Sequence, residues 1–138
     1  MPEWAPGGTA AGAEVHELPF ARDANARARA LLADFLERLQ VETRVRQDAA
    51  IVLGELVANG LDHGRPDARQ ALEISWQVEA GVLRLSVLDG GGPTVPHVVA
   101  ADPWAPRGRG LAMVQALTTS WWVDDTHGTR VVALLPVE

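Results

Sequence analysis

The sequence has no cysteine. That absence excludes disulfides, zinc fingers, iron–sulfur sites and thiol catalysis. Lysine is missing too, since all 12 basic residues are arginine. Neither a P-loop lysine nor a Schiff-base lysine can therefore operate here. No apolar run approaches the roughly 20 residues that span a bilayer. Met1–Ala13 lacks the basic and apolar segments of a secretory signal, so the expected location is the cytoplasm. Net positive charge is absent as well, the formal balance being −6 at pH 7. Nucleic acid selects for a basic face, so neither nucleic acid nor membrane is expected as a direct partner. His16, His97 and His127 are dispersed and give no metal-ligand spacing.

What is present fits an ordinary globular domain. The chain has 138 residues, of which 47% are apolar and 22% charged, close to the soluble average. A chain of this size buries roughly two-thirds of its extended surface. Residues 1–12, rich in Pro, Gly and Ala, read as a flexible N-terminal arm before one domain over 13–138. Alternation predicts a strand over Glu14–Phe20. Asp23 is placed as the N-cap of a helix from Ala24 to about Leu39, with the apolar stripe Ala28, Leu31, Leu32, Phe35, Leu36 and Leu39. Thr43 is placed as the cap of a second helix that runs to His63, with Gly64 just past its end and Pro66 beyond.

Two alternating segments, Leu72–Val78 and Leu83–Val87, flank Ala80-Gly81 and predict a hairpin. Gly90–Arg107 has no period and reads as a long loop of the kind that forms lids. Gly108 opens a third helix to about Thr118. Ser120–Asp125 and Thr129–Leu135 form a closing hairpin around His127-Gly128. The element order implies an α+β two-layer sandwich, with helices on one face of a mixed, mostly antiparallel sheet.

Three segments could carry chemistry. In the second helix Glu55, Asn59 and His63 recur at i, i+4, i+8 and form one stripe, opposite Leu53, Val57 and Leu61. Taken alone, the stripe reads equally as a solvated face or as one wall of a polar site. Gly54 and Gly60 lie inside that helix, where each costs about 1 kcal/mol relative to Ala. Such glycines mark close approach by a ligand or a neighbouring backbone. The second segment, Val87-Leu88-Asp89-Gly90-Gly91-Gly92-Pro93, ends an apolar strand with a carboxylate able to accept from an exocyclic amine. Its glycines let backbone approach a flat ring. Read alone it is also an ordinary Asp-Gly turn. The third, Gly108-Arg109-Gly110-Leu111, opens a helix, and helix N-termini attract anions; Arg107 and Arg109 could add charge-assisted bonds.

Together and in this order, the three segments resemble the Bergerat-fold (GHKL) ATP-binding superfamily, and within it the small bacterial anti-sigma-factor serine/threonine kinases. ELVANGLDHG is similar to the N box, LDGGGP to the first glycine box and GRGLAMV to the second; WWVDDTHGTRVVALLP resembles the closing hairpin. The resemblance implies an ATP- and Mg²⁺-dependent protein kinase acting on a Ser or Thr of an anti-sigma-factor antagonist, with a sigma factor as second partner and a homodimer as the assembly. It implies Glu55 as general base, Asn59 as the Mg²⁺ ligand and Asp89 on the adenine amine, with Gly91 allowing the ring to approach. Gly108, Arg109, Gly110 and Leu111 would cradle phosphates through backbone amides. His63 falls either near the phosphates or in a capping or core role. Pro93 stands where a glycine is common. Gly128-Thr129-Arg130 replaces a Gly-Lys-Thr, which leaves Thr129 as a candidate for the threonine beside adenine. An ATP-binding interaction module with little kinase activity is the alternative. A histidine-kinase catalytic domain is a third reading, opposed by the lack of an upstream helix bearing a phosphoacceptor histidine.

Overall fold

The computed structural model describes residues 12–92 and 109–137. The arm before Gly12, most of the expected lid, and with them Pro93, His97, Trp104, Arg107 and Gly108 lie outside the described residues. Eight elements follow in order: β1 (Ala13–Pro19), α1 (Ala24–Arg38), α2 (Thr43–His63), β2 (Ala71–Glu79), β3 (Val82–Asp89), α3 (Arg109–Leu117), β4 (Ser120–Asp124) and β5 (Thr129–Pro136). The strands form one sheet in the order β1-β2-β3-β5-β4. All four described pairings are antiparallel, so the parallel component allowed by a mixed sheet is not seen. The two-layer α+β architecture is as expected.

Period-2 alternation sends Leu72, Ile74 and Trp76 of β2 and Leu83, Leu85 and Val87 of β3 to the helix side, where all six are buried. The 3.6-residue period of α1 does the same for Ala24, Ala28, Leu32, Phe35 and Leu36. In α2, Ala49, Val52, Leu53, Leu56, Val57 and Gly60 face inward. One cluster joins these residues to Leu111, Val114, Val131, Ala133 and Leu135. At about 25 cal/mol per Å² of apolar surface, this shared face is the main term holding the layers together. Trp121 packs against the cluster, while its neighbour Trp122 pairs with Val132 on the opposite face of the sheet, as adjacent strand positions require.

The helix ends depart from the expected caps. Thr43 is the first residue of α2, Glu42 holds the cap position, and neither Glu42 nor Asp23 makes a side-chain capping bond. The Thr43 hydroxyl instead accepts from Arg46 Nη2 at 3.1 Å. Leu39 ends α1 rather than extending its stripe and is 38% exposed. There the N–H of Gln40 donates to Glu37 and that of Val41 to Leu36, with Gln40 at φ +55°. This is a Schellman turn with glutamine where glycine is usual.

The β2–β3 turn places Ala80 and Gly81 at φ +53° and +76°, the two positive values a two-residue I′ turn requires. Beyond β3 the chain passes through α3 and forms β4 before returning as β5 between β3 and β4. That crossover sets Thr129, at the start of β5, directly opposite Asp89, at the end of β3.

Candidate functional site

The site grows from the Asp89 end of β3. Asp89 is only 6% exposed. Burial pushes its carboxyl pKa above the ordinary 3.8, and the Gly91 N–H pulls the other way. That N–H donates to Oδ1 at 2.6 Å. The other oxygen, Oδ2, accepts no hydrogen bond among the described residues, and it is the atom that faces Gly60 and Gly64 of α2. A half-satisfied, largely buried carboxylate is an acceptor awaiting a donor. Thr129, 7% exposed and across the ladder, sets a hydroxyl on the same face.

Absent side chains let the surrounding backbone close in. A Cβ on Gly64 would strike the Asp89 carboxylate, and one on Gly60 would lie 3.5 Å from Oδ2. Gly64 is extended, at φ −91° and ψ −170°. Its lack of a side chain therefore serves approach to Asp89 and not the left-handed helix ending expected of a terminal glycine. Gly90 donates its N–H to the Arg65 carbonyl at 2.7 Å, and a Cβ there would meet Arg65 and Pro66 oxygens. Gly91 and Gly128 sit at φ +93° and +83°, a region glycine enters freely. A Cβ on Gly128 would strike the Asp89 carbonyl. These segments border a cleft of about 480 Å³ lined by Arg65, Gly90, Gly91, Gly92, Asp125, Gly128 and Thr129.

Glu55 and Asn59 stand half-buried along α2. Neither side chain makes a hydrogen bond or ion pair among the described residues. A Cβ on Gly110 would strike Glu55 Oε2. The N-terminal turn of α3, with its positive dipole end, therefore adjoins the Glu55 carboxylate. Leu111 buries its side chain in the core, so only its backbone is available to a ligand. Arg109 is the first residue of α3. His63 is exposed, and it is its carbonyl that Gly92 approaches. The structure thus sets Gly60, Gly64, Gly91 and Thr129 around Asp89 and Gly110 against Glu55; Asn59 lies one turn beyond Glu55 on α2, and the His63 imidazole makes no bond among the described residues.

The two interior glycines of α2 differ in use. Gly60 meets the side chains of Asp89 and Leu72, where a ligand or a neighbouring backbone was expected. Gly54 instead meets Asn25 and Arg29, and its carbonyl accepts from Asn25 Nδ2 at 3.0 Å, which makes it an α1–α2 packing residue. Arg65 and Asp125, on opposite banks of the cleft, carried no signal in the sequence beyond their nearness to the glycines.

A magnesium ion can be tested against the same residues. No group of three or more His, Cys, Asp or Glu side chains among the described residues could hold a metal. A metal here would draw most of its ligands from water and phosphate, with one amide oxygen such as that of Asn59. That donor set suits magnesium.

An α/β sandwich with a buried acceptor carboxylate, a glycine floor and a polar helix stripe beside a helix N-terminus defines a nucleotide-binding domain of the histidine-kinase-like type. The chain belongs to the histidine kinase-like ATPase domain family, whose sequence pattern matches residues 18–134. Comparison with curated proteins gives no significant match. Among solved structures, the chain resembles the crystal structure of the RsbU and RsbW domains of Rv1364c from Mycobacterium tuberculosis, with a TM-score of 0.70 and 19% identity. The match covers 91% of this chain and 32% of that one. The likeness shows a shared fold, and this chain spans about a third of that protein's matched chain.

Proposed function

We propose that the chain binds Mg·ATP in the cleft beside Asp89 and acts as an anti-sigma factor with serine/threonine kinase activity toward an anti-sigma-factor antagonist. The observation that carries the nucleotide reading is the unshared Oδ2 of Asp89, set among backbone from three segments. An adenine amine donates to such an oxygen, the glycines leave room for a flat ring, and Thr129 stands opposite to bridge carboxylate and ring. The triphosphate runs from there toward Asn59 and the backbone amides of Gly110 and Leu111. Asn59 would hold the magnesium, which when bound neutralises phosphate charge.

Glu55 is the proposed general base. Its carboxylate has no protein partner among the described residues, so it is free to accept the proton of an incoming hydroxyl. The rest of the acceleration comes from positioning the acceptor in line with the γ-phosphate. The regulatory half of the proposal is supported by the similarity of the N box, both glycine boxes and the closing hairpin to anti-sigma-factor kinases, and by the fold shared with a chain that contains an RsbW domain.

Calorimetric titration with ATP, with and without Mg²⁺ and with GTP as control, tests the pocket. The expected result is magnesium-enhanced, adenine-selective binding that weakens in both Asn59→Ala and Asp89→Ala. Absence of any nucleotide binding overturns it. With an acceptor in hand, phosphorylation that survives Glu55→Ala overturns the base assignment and favours the interaction-module reading.

A further inference from the structure

The cleft has a side that the adenine contacts leave uncovered. Its floor is main chain, formed by Gly90, Gly91 and Gly128. Of the described residues that line it, two are charged, Arg65 on the α2–β2 bank and Asp125 on the β4–β5 bank. The Arg65 backbone is fixed by the Gly90 N–H at 2.7 Å, so the side chain springs from a rigid point at the rim. That side chain is exposed, and among the described residues it makes no hydrogen bond or ion pair. An arginine anchored through its backbone and unengaged at its head is available to a ligand.

The surrounding charge says which part of a ligand it meets. Asp125 in the lining and the buried Asp89 carboxylate beside it offset the single positive charge of Arg65, so this end gathers no positive field for phosphates and suits a neutral base. A guanidinium is planar and weakly hydrated, and it stacks on aromatic faces. With glycine backbone lining the cleft and Arg65 at its rim, a long planar guanidinium can fold over the open face of a purine seated there. We infer that Arg65 is a base-stacking clamp that raises affinity for the nucleoside end of the ligand and reads none of its phosphates. This rests on the proposed nucleotide pocket and names a binding residue beyond it.

Competition of ATP, ADP and AMP against a fluorescent ATP analogue, a format that reaches weak affinities, tests the clamp in wild type, Arg65→Ala and Arg65→Lys. Stacking predicts that Arg65→Ala weakens all three nucleotides by the same factor, roughly three- to tenfold, with unchanged thermal stability. Lysine restores little of the loss, because an ammonium lacks the flat face. A loss that grows from AMP to ATP means that Arg65 reads phosphate and overturns the inference. So does unchanged affinity, or full rescue by lysine. If wild type binds no nucleotide, the pocket itself fails, and the clamp with it; wild-type binding with an indifferent Arg65 variant sinks the clamp alone.

Discussion

Gly110 lies so close to the carboxylate of Glu55 that a single added methyl group would displace it. The obstructing atom is the far end of a flexible side chain, so alanine fits once Glu55 swings aside. Alanine also favours the helix by at most about 1 kcal/mol. Gly110→Ala is therefore expected to fold with near-wild-type thermal stability and to bind ATP within about threefold of wild type. Phosphotransfer should fall by roughly 100-fold, the scale of an ångström-sized misplacement. Gly64→Ala is the contrast. There the added carbon meets the Asp89 carboxylate and also the Gly60 backbone, so a loss on the order of 1–3 kcal/mol is expected. Thermal melts and single-turnover phosphorylation separate the two variants.

Asp89 should weaken the free protein as pH rises. Its folded pKa is raised from 3.8. Just above that value the folded state binds more protons than the unfolded one, so stability falls with rising pH through the window and stays lowered beyond it. An amide at this position does not titrate and contributes no such slope. Urea titrations of Asp89→Asn should therefore give a flatter profile there and a higher stability than wild type at pH 7. ATP affinity of the same variant should drop tenfold or more, since an amide no longer offers a charged acceptor. Greater stability with poorer binding is the expected signature of a ligand-serving carboxylate.

Glu14 should behave in the opposite sense. Burial pushes its pKa up, but hydrogen bonds from Arg38, His16 and Trp76 hold it below 4.5. The contacts are 2.6 Å from Arg38 and 3.0 Å each from His16 and Trp76. A lowered carboxylate adds stability above its unfolded pKa and loses it as pH falls through the folded one. Glu14→Gln should remove this acid limb, and the difference from wild type should vanish below it. Denaturant midpoints followed down from pH 5 measure the effect.

Gln40 closes α1 in a left-handed conformation, at φ +55°. Glycine adopts that conformation without the steric penalty of a Cβ, worth about 1 kcal/mol. Gln40→Gly should raise the midpoint of thermal unfolding while leaving nucleotide affinity unchanged, because the turn lies at the end of α2 remote from Asp89.

Local patterns were legible in the sequence wherever the deciding contacts were local. The alternation of Leu72, Ile74 and Trp76 placed β2, and Ala80-Gly81 placed its turn. The N-box stripe and the glycine boxes named segments that adjoin in the fold, Gly60 facing Asp89 and Gly110 facing Glu55. Contacts between distant segments were hidden. That β5 inserts between β3 and β4, and so sets Thr129 against Asp89, depends on a crossover that no periodicity encodes. Gly64 carried the signal of a helix ending, whereas its missing side chain answers to a carboxylate 25 positions away. The ties of Trp76 and Arg38 to Glu14 are likewise invisible to a pattern of apolar positions.

The floor beneath the cleft is built from Gly90, Gly91 and Gly128. Mutation has no side chain to trim from it, and a carbon added at Gly90 or Gly128 meets the Pro66 or Asp89 carbonyl, so change there moves the backbone that frames the cleft. Any broadening of what the cleft accepts must come instead from its banks, at Arg65, Asp125 or Thr129.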